Sequence, residues 1–152
     1  MAGRAPGVQR SAYDHALALL ARREHSRKDL ARKLQRKGHA REEIAEAMER
    51  LVAEGCLSEE RFGEMLVRSR IRQRYGPVRI RAELRSQGLD DGLVEQLLAR
   101  AAQDTDWAAL ANAALRHRYG DADEDDFSER GKRAGFLQRR GFPSDIARPA
   151  SQ

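Results

Sequence analysis

The chain has 152 residues, of which 35% are charged and 5% aromatic, and its formal net charge is +5. It contains no run of about 18 apolar residues that could cross a bilayer and no apolar N-terminal stretch typical of a secretory signal, and its single cysteine, Cys56, cannot form an internal disulfide. We therefore expect a cytoplasmic protein without a membrane-spanning segment, organised as one domain or as a short array of small units.

Two short patterns recur along the chain. Leu-x-x-x-Gly ends at Gly38, Gly88 and Gly141, so that its glycines lie 50 and 53 residues apart. Arg-x-Arg-Tyr-Gly ends at Gly76 and at Gly120. A period of this size is typical of repeat proteins, whose units stack to bury a shared core, and the Leu- and Ala-rich composition favours helices. The sequence thus predicts an all-α fold of three tandem three-helix repeats, helix-turn-helix-like, in an elongated, curved array that suits a large partner.

The predicted organisation is a disordered tail followed by three repeats, over residues 1–10, 11–57, 58–103 and 104–152. In the first repeat, Ser11 and Ser26 are expected to cap the first two helices, and Gly38 is expected to end the second. Helical periodicity places Leu17 on the buried face of the first helix and Val52 on that of the third.

The second repeat follows the same scheme. Ser58 is expected to cap its first helix and Gly76 to end it, after which Pro77 opens the next helix at a position where a missing N–H costs nothing. Ile80 and Leu84 are then expected on the buried face of that helix, at the positions that Leu30 and Leu34 occupy in the first repeat.

The third repeat departs from the pattern. Residues 121–126 form an acidic insert, which we interpret as a solvated loop because it lacks the glycine and the terminal glutamate of a calcium-binding loop. Gly131 and Gly135 weaken the second helix by roughly 1 kcal/mol each relative to alanine. Arg133 replaces an apolar residue on the buried face, and the last helix, which begins at Pro143, is expected to be a short stub.

Residues 68–85 hold seven arginines, no lysine and one acid, which gives this window a charge of +6 and leaves the rest of the chain near −1. Arginines four apart share a helix face and could contact successive phosphates or acidic side chains. Ion pairing within the chain is the alternative, with the partners Glu59, Glu60, Glu64 and Glu83. We favour a contact surface, and its candidate residues are Arg68, Arg70, Arg72, Arg74, Tyr75, Arg79, Arg81 and Arg85.

The tyrosines Tyr75 and Tyr119 each lie beside two arginines and could stack on bases, as aromatic residues of single-strand-binding proteins do. We favour the alternative that each ring packs over the end of its own helix, because aromatic residues are too scarce here to build a stacking platform.

Patterns of catalytic and metal-binding residues are missing from the sequence. The four histidines show no metal-ligand spacing with one another, with Cys56 or with acids, and there is no Gly-rich phosphate loop, nucleophile elbow or Cys/His dyad. We therefore expect a protein that is not an enzyme and that uses no cofactor and no metal ion.

The segment 16–38, together with Ser58-Glu59-Glu60-Arg61-Phe62, resembles the start of RecX-type regulators of homologous recombination, and the run 75–84 (YGPVRIRAEL) with Gly88 resembles the middle repeat of that family. The resemblance covers residues 11–103 well and the third repeat loosely. It implies three tandem three-helix repeats and binding to RecA recombinase, notably to its filament on single-stranded DNA. It also implies inhibition of ATP hydrolysis and strand exchange, with effects on recombination, DNA repair and the SOS response.

Several positions match the middle-repeat pattern of that family, namely Tyr75, Gly76, Pro77, Arg79, Ile80, Leu84 and Gly88. The glycines and the two apolar residues among them suit a structural role, which leaves the arginines as the better contact candidates. The partners expected from the resemblance are the RecA filament and single-stranded DNA, contacted directly or through the filament. The predicted elongated and charged array favours a monomer.

Two other functions are compatible with the sequence. Three-helix units with short turns also occur in helix-turn-helix transcription regulators, whose second helix reads the major groove of duplex DNA. A purely structural adaptor is the other alternative. A transcription regulator would prefer one duplex sequence by about 10³-fold or more, whereas a recombinase regulator would show little sequence preference on free DNA.

Overall fold

The computed structural model describes residues 10–120 and 127–148, so the predicted tail (apart from Arg10) and the acidic insert at 121–126 lie outside the described residues. All regular structure within these two segments is α-helical, which confirms the predicted all-α class. The helices described there are α1 (Ala12–Arg22), α2 (Arg27–Arg36), α3 (Arg41–Ala53), α4 (Glu59–Arg72), α5 (Pro77–Ser86), α6 (Asp91–Asp104), α7 (Trp107–Tyr119), α8 (Phe127–Arg139) and α9 (Ser144–Ala147).

The chain divides into two compact units. The first unit consists of Met1–Phe62 with Gln87–Leu89, and the second unit consists of Gly63–Ser86 with Asp90–Gln152. The tip that follows α5 therefore packs with the first unit, so this division does not coincide with the three predicted repeats. The repeat boundaries at residues 57 and 103 stay a prediction.

The predicted caps of the first unit are present. The Ser11 hydroxyl accepts a hydrogen bond from the Asp14 amide at 3.1 Å, and the Ser26 hydroxyl accepts one from the Asp29 amide at 3.0 Å. Each bond satisfies an amide that the first turn of a helix leaves without a backbone partner. Gly38 has a φ of +91°, the left-handed conformation that ends a helix and that glycine adopts without strain.

The core of the first unit lies between α1, α2 and α3 and consists of Ala12, Ala16, Leu30, Leu34, Ile44, Ala47, Met48, Leu51 and Leu57. Two sequence predictions for this core are wrong, since Leu17 is 39% exposed and Val52 is 43% exposed. At about 100° per residue, each side chain points roughly 90° or more away from the centre of its helix's buried stripe. In α1 that stripe is built mainly from alanines, which lets the helix approach its neighbours closely.

In the second unit, α5 packs against α6, and α7, α8 and α9 pack against one another. Ile80 and Leu84 of α5 are fully buried, as predicted from the sequence. The cluster around α7–α9 is built from Ala111, Ala114, Leu137, Phe142 and Ala147. The final helix has four residues, and Pro143, which was expected to begin this helix, precedes it as its cap.

The end of α4 differs from the prediction. Gly76 was expected to end this helix, but α4 already ends at Arg72, and the left-handed residue in the turn is Arg74, with a φ of +65°. A non-glycine residue in this region costs roughly 1–2 kcal/mol. Gly76 has no positive φ and serves close packing instead, because its amide donates a 2.8 Å hydrogen bond to the carbonyl of Arg140.

His25, between α1 and α2, is a buried histidine that is 1% exposed. Its Nδ1 lies 3.0 Å from the Arg23 carbonyl and its Nε2 lies 2.9 Å from the Lys33 ammonium. This geometry fits a neutral ring that donates from Nδ1 and accepts at Nε2. Burial lowers the pKa of His25, and the nearby charges of Lys33 and Arg23 act in the same direction, against opposing contributions from its bond to the Arg23 carbonyl and from Asp29.

The His25 environment predicts acid sensitivity of the first unit. Because the folded-state pKa is depressed, His25 contributes stability that is fully present above its unfolded pKa near 6.5 and is lost as the pH falls through the folded pKa. We expect the free energy of unfolding, measured by urea denaturation, to fall between pH 7.5 and pH 5. The variant His25→Gln should be less stable at pH 7.5 by about 1–3 kcal/mol and should show a weaker pH dependence. Equal pH dependence in both proteins would contradict this assignment.

Candidate functional site

The eight candidate residues lie on the C-terminal half of α4, on the α4–α5 turn and on α5. Arg68 and Arg72 are exposed and lie one turn apart on α4. Neither side chain makes an ion pair or hydrogen bond with another described residue. Their charges are therefore available to an anion outside the chain.

Glu83 of α5 binds two of the candidate arginines. The Nε of Arg70 donates to both oxygens of the Glu83 carboxylate, at 2.8 and 3.0 Å, and the Nε of Arg79 donates to one of them at 3.2 Å. The Arg70 and Glu83 side chains are each about three-quarters buried. Glu83 is one of the four acids that the sequence analysis named as possible ion-pair partners. Through its bond with Arg70 it holds α5 to α4.

Two further candidates bind acids of α6. The Arg81 guanidinium donates to both oxygens of Glu95, at 2.9 and 3.0 Å, and Arg85 lies 3.5 Å from Asp91 and 3.8 Å from Glu95. The hydrogen bond from Arg81 lowers the pKa of Glu95. These exposed pairs link α5 to α6, and sequence reasoning missed both acids because they lie on the following helix.

Tyr75 is half-buried and lies beneath two guanidinium groups. The guanidinium carbon of Arg140 is 3.7 Å from the centre of the Tyr75 ring, and that of Arg79 is 4.2 Å from it. Guanidinium groups stack favourably on aromatic faces. Positions over the ring where a base would stack are therefore already filled, which supports a packing role for Tyr75 over base stacking.

Arg74 lies in the α4–α5 turn and its side chain is partly buried. Its Nε is buried and has no hydrogen-bond partner among the described residues. Its carbonyl accepts a hydrogen bond from the guanidinium of Arg140 at 3.3 Å, and that guanidinium also donates to the carbonyl of Gln73. Arg140 lies far outside the arginine window in sequence, and the fold adds its charge to this cluster.

Backbone contacts join the start of α5 to the end of α8, at what we call the Gly76–Gly141 junction. The Gly76 amide donates to the Arg140 carbonyl at 2.8 Å, and the Val78 amide donates to the Gly141 carbonyl at 2.9 Å. A β-carbon on Gly76 would lie 2.6 Å from the carbonyl carbon of Gly141. Glycine is required there because two backbone segments touch.

A similar contact occurs in the first unit. The Ser26 hydroxyl, at the start of α2, donates to the Gln87 side chain beyond the end of α5 at 2.7 Å. Ser26 precedes Gly38 by the same 12 residues by which Gly76 precedes Gly88. At both places, a residue at the start of one helix bonds to a residue at or just beyond the end of a helix later in the chain.

Tyr119 packs as the sequence reasoning favoured, at the end of its own helix. Its ring meets the Phe136 ring edge-on at a centroid distance of 5.7 Å. The guanidinium carbon of Arg133, a side chain that is 7% exposed, lies 4.8 Å from the ring centre. Stacking on Tyr119 accounts for a buried arginine at a position where α2 and α5 carry apolar residues.

Two of the four histidines, His15 and His39, lie closer together in the structure than their separation in the sequence suggests. Nδ1 of His15 lies 2.5 Å from Nε2 of His39, whose Nδ1 lies 3.3 Å from Glu43. No group of three or more His, Cys, Asp or Glu side chains within residues 10–120 and 127–148 is placed to hold a metal ion. Over the same residues, no helix is both long enough and apolar enough to cross a membrane.

The sequence also contains a second basic segment, which the sequence analysis did not identify as a candidate site. Residues 22–41 hold nine lysines and arginines against two acids, so their charge of +7 exceeds that of the arginine window. Counting lysine together with arginine would have identified this segment, which includes all of α2.

Family models match three parts of the chain. The first, second and third three-helix domains of RecX match residues 12–51, 58–98 and 104–150. Regulatory protein RecX of Halorhodospira halophila is 46% identical over 138 residues, which cover 91% of this chain and 84% of that protein. The chain belongs to the RecX family. Regulatory protein RecX of Stenotrophomonas maltophilia (strain K279a) is 40% identical over 144 residues, 95% of this chain and 87% of its own.

Solved RecX structures share this fold. A RecX crystal structure from Lactobacillus salivarius superposes with a TM-score of 0.70 at 24% identity and covers 90% of this chain and 89% of its own. A second crystal structure of a regulatory protein RecX gives a TM-score of 0.74 at 22% identity, over 89% of this chain and 67% of its own. The RecX family therefore accounts for the three-helix domains predicted from the repeat pattern.

Proposed function

We propose that this protein is a non-enzymatic regulator of the RecA recombinase. It binds the RecA filament on single-stranded DNA and inhibits ATP hydrolysis and strand exchange, and thereby modulates homologous recombination, DNA repair and the SOS response in the cytoplasm. The observation that carries the proposal is membership of a family of regulatory proteins over nearly the whole chain.

Within the eight candidate residues, we assign direct contact with the filament to Arg68 and Arg72. They are exposed, they share one face of α4, and they lack ion-pair partners among the described residues. Arginine forms two-point hydrogen bonds with carboxylates and with phosphates, so either filament component suits this pair. The other candidates support this face, through ion pairs with acids (Arg70, Arg79, Arg81, Arg85) or through packing at the turn (Arg74, Tyr75).

Inhibition without catalysis has a simple physical basis. A protein built from several helical domains can offer more than one contact surface, so one chain can bind more than one protomer of a filament. A ligand that binds one arrangement of the protomers more tightly than another shifts the equilibrium toward it. Holding the protomers in one arrangement would oppose the conformational cycle that accompanies ATP hydrolysis.

The experiment that tests this function is the ATPase rate of a RecA filament on single-stranded DNA with the protein added. We expect inhibition at concentrations comparable to that of the recombinase, and weaker inhibition as the salt concentration rises, because the contacts are ionic. A parallel titration with free duplexes of different sequence tests the alternative. Undiminished ATPase together with about 10³-fold preference for one duplex would instead identify a transcription regulator.

A further inference from the structure

The exposed face of α2 is a row of cations. Lys28, Arg32 and Arg36 are spaced four residues apart and are all exposed, so they lie on one side of the helix. At 1.5 Å per residue, the row extends about 12 Å along the axis. We call these three residues the α2 basic row.

The acids within this basic segment do not neutralise it. Asp29 is buried, and its carboxylate is paired with Lys33 at 3.4 Å, with Arg23 at 3.7 Å and with Arg32. Although burial alone would raise its pKa, the charges of Lys33 and Arg32 and their hydrogen bonds hold the pKa of Asp29 below its ordinary value, so this acid stays ionised within a shell of cations.

The other acid is also engaged. Glu24 accepts a 2.9 Å hydrogen bond from Arg61. The segment therefore keeps a large positive excess, and this excess faces solvent along α2.

The chemistry of the row favours nucleic acid over an acidic protein as its partner. Protein interfaces centre on buried aromatic or aliphatic anchors and are depleted in lysine. The large apolar side chains that are exposed in the described part of the chain, Leu17, Val52 and Val78, lie outside α2. Phosphates, in contrast, attract lysine and arginine as charges and need no apolar anchor.

We propose that the α2 basic row binds the sugar–phosphate backbone of a nucleic acid directly, without the recombinase. Residues 22–41 contain no Phe, Tyr or Trp, and the rings of His25 and His39 are largely buried, so the segment offers no exposed aromatic ring on which bases could stack. Binding is consequently independent of base sequence and strongly dependent on salt. This site does not include the α4 arginines assigned to the filament, so the two proposals can be tested independently.

The test uses the full chain and a fluorescently labelled oligothymidine, with no recombinase present. The variant Lys28→Gln/Arg32→Gln/Arg36→Gln is compared with Arg116→Gln/Arg130→Gln/Arg139→Gln, which removes three exposed charges elsewhere. Three lost phosphate contacts should reduce the slope of log K against log salt by about 2, since each contact on a single strand contributes roughly 0.7. At low salt we expect the α2 variant to bind at least about tenfold more weakly, and the control variant to bind nearly as tightly as wild type.

Two further samples decide the remaining points. Because Arg32 also pairs with Asp29, the variant Lys28→Gln/Arg36→Gln keeps that pair. It should still show about two-thirds of the reduction in slope that we expect for the triple variant. Competition by a duplex of equal length shows which form is preferred, and binding of either form supports the proposal. Equal losses in the α2 and control variants, no loss in the α2 variant, or equally tight binding of polyglutamate would overturn it.

Discussion

Replacing Gly141 with alanine should destabilise the second unit by about 2–4 kcal/mol, whereas Gly131→Ala in α8 should stabilise it by about 0.5–1 kcal/mol. Gly141 has a φ of +94°, and a β-carbon there would lie 2.5 Å from the Arg79 amide nitrogen. Alanine would be strained in its backbone and would push α5 away from the end of α8. A β-carbon on Gly131 would meet no atom within 4 Å, so alanine gains only helix propensity.

The measurement for this pair is urea unfolding followed by circular dichroism, on the two single variants and wild type. Opposite signs for two identical substitutions ten residues apart are expected because Gly141 combines a left-handed backbone with a close backbone contact, whereas Gly131 has neither. Equal small effects at both positions would show that the Gly76–Gly141 junction does not contribute to stability.

Leu84→Ala should cost about 2–5 kcal/mol of unfolding free energy. Leu84 is fully buried in α5, and truncating it leaves a cavity that the ion-paired α5–α6 contact cannot easily close. The matched control is Val78→Ala on the same helix, which is 49% exposed and should change stability by less than about 0.5 kcal/mol. Similar costs at the two positions, measured by the same denaturation, would contradict the assigned orientation of α5.

The local features of the fold could be predicted from the sequence because they depend on neighbouring residues. Ser11 and Ser26 cap helices through amides three residues away, and Gly38 ends α2 through its own backbone conformation. The Leu-x-x-x-Gly pattern marks a buried leucine followed by a helix end, and Leu34, Leu84 and Leu137 are all buried.

Features that depend on distant segments could not be predicted in this way. Gly76 has the sequence context of a helix-ending glycine, but its role is set by Arg140 and Gly141, which lie more than 60 residues away. The left-handed conformation after α4 is adopted by Arg74 instead. Sequence periodicity cannot reveal which backbone segments touch.

The candidate site shows the same division. A count of charges identifies a basic window, but only the structure separates Arg68 and Arg72, which are unpaired among the described residues, from Arg81, which binds Glu95. The acids of α6 lie close to the α5 arginines in space, but they belong to another helix, so the periodicity of α5 does not reveal them. Because these acids pair with arginines of the window, the window carries less unpaired charge than its sequence suggests.

We propose that this protein binds the recombinase filament through exposed arginines of α4. The most direct test is the affinity of labelled protein for preassembled RecA filaments on single-stranded DNA, comparing wild type, Arg68→Gln/Arg72→Gln and the matched control Arg116→Gln/Arg130→Gln. We predict that the α4 variant binds at least about tenfold more weakly, since two charge-assisted contacts are lost, while the control binds nearly as wild type does. Equal affinity of the α4 variant and wild type would contradict the claim.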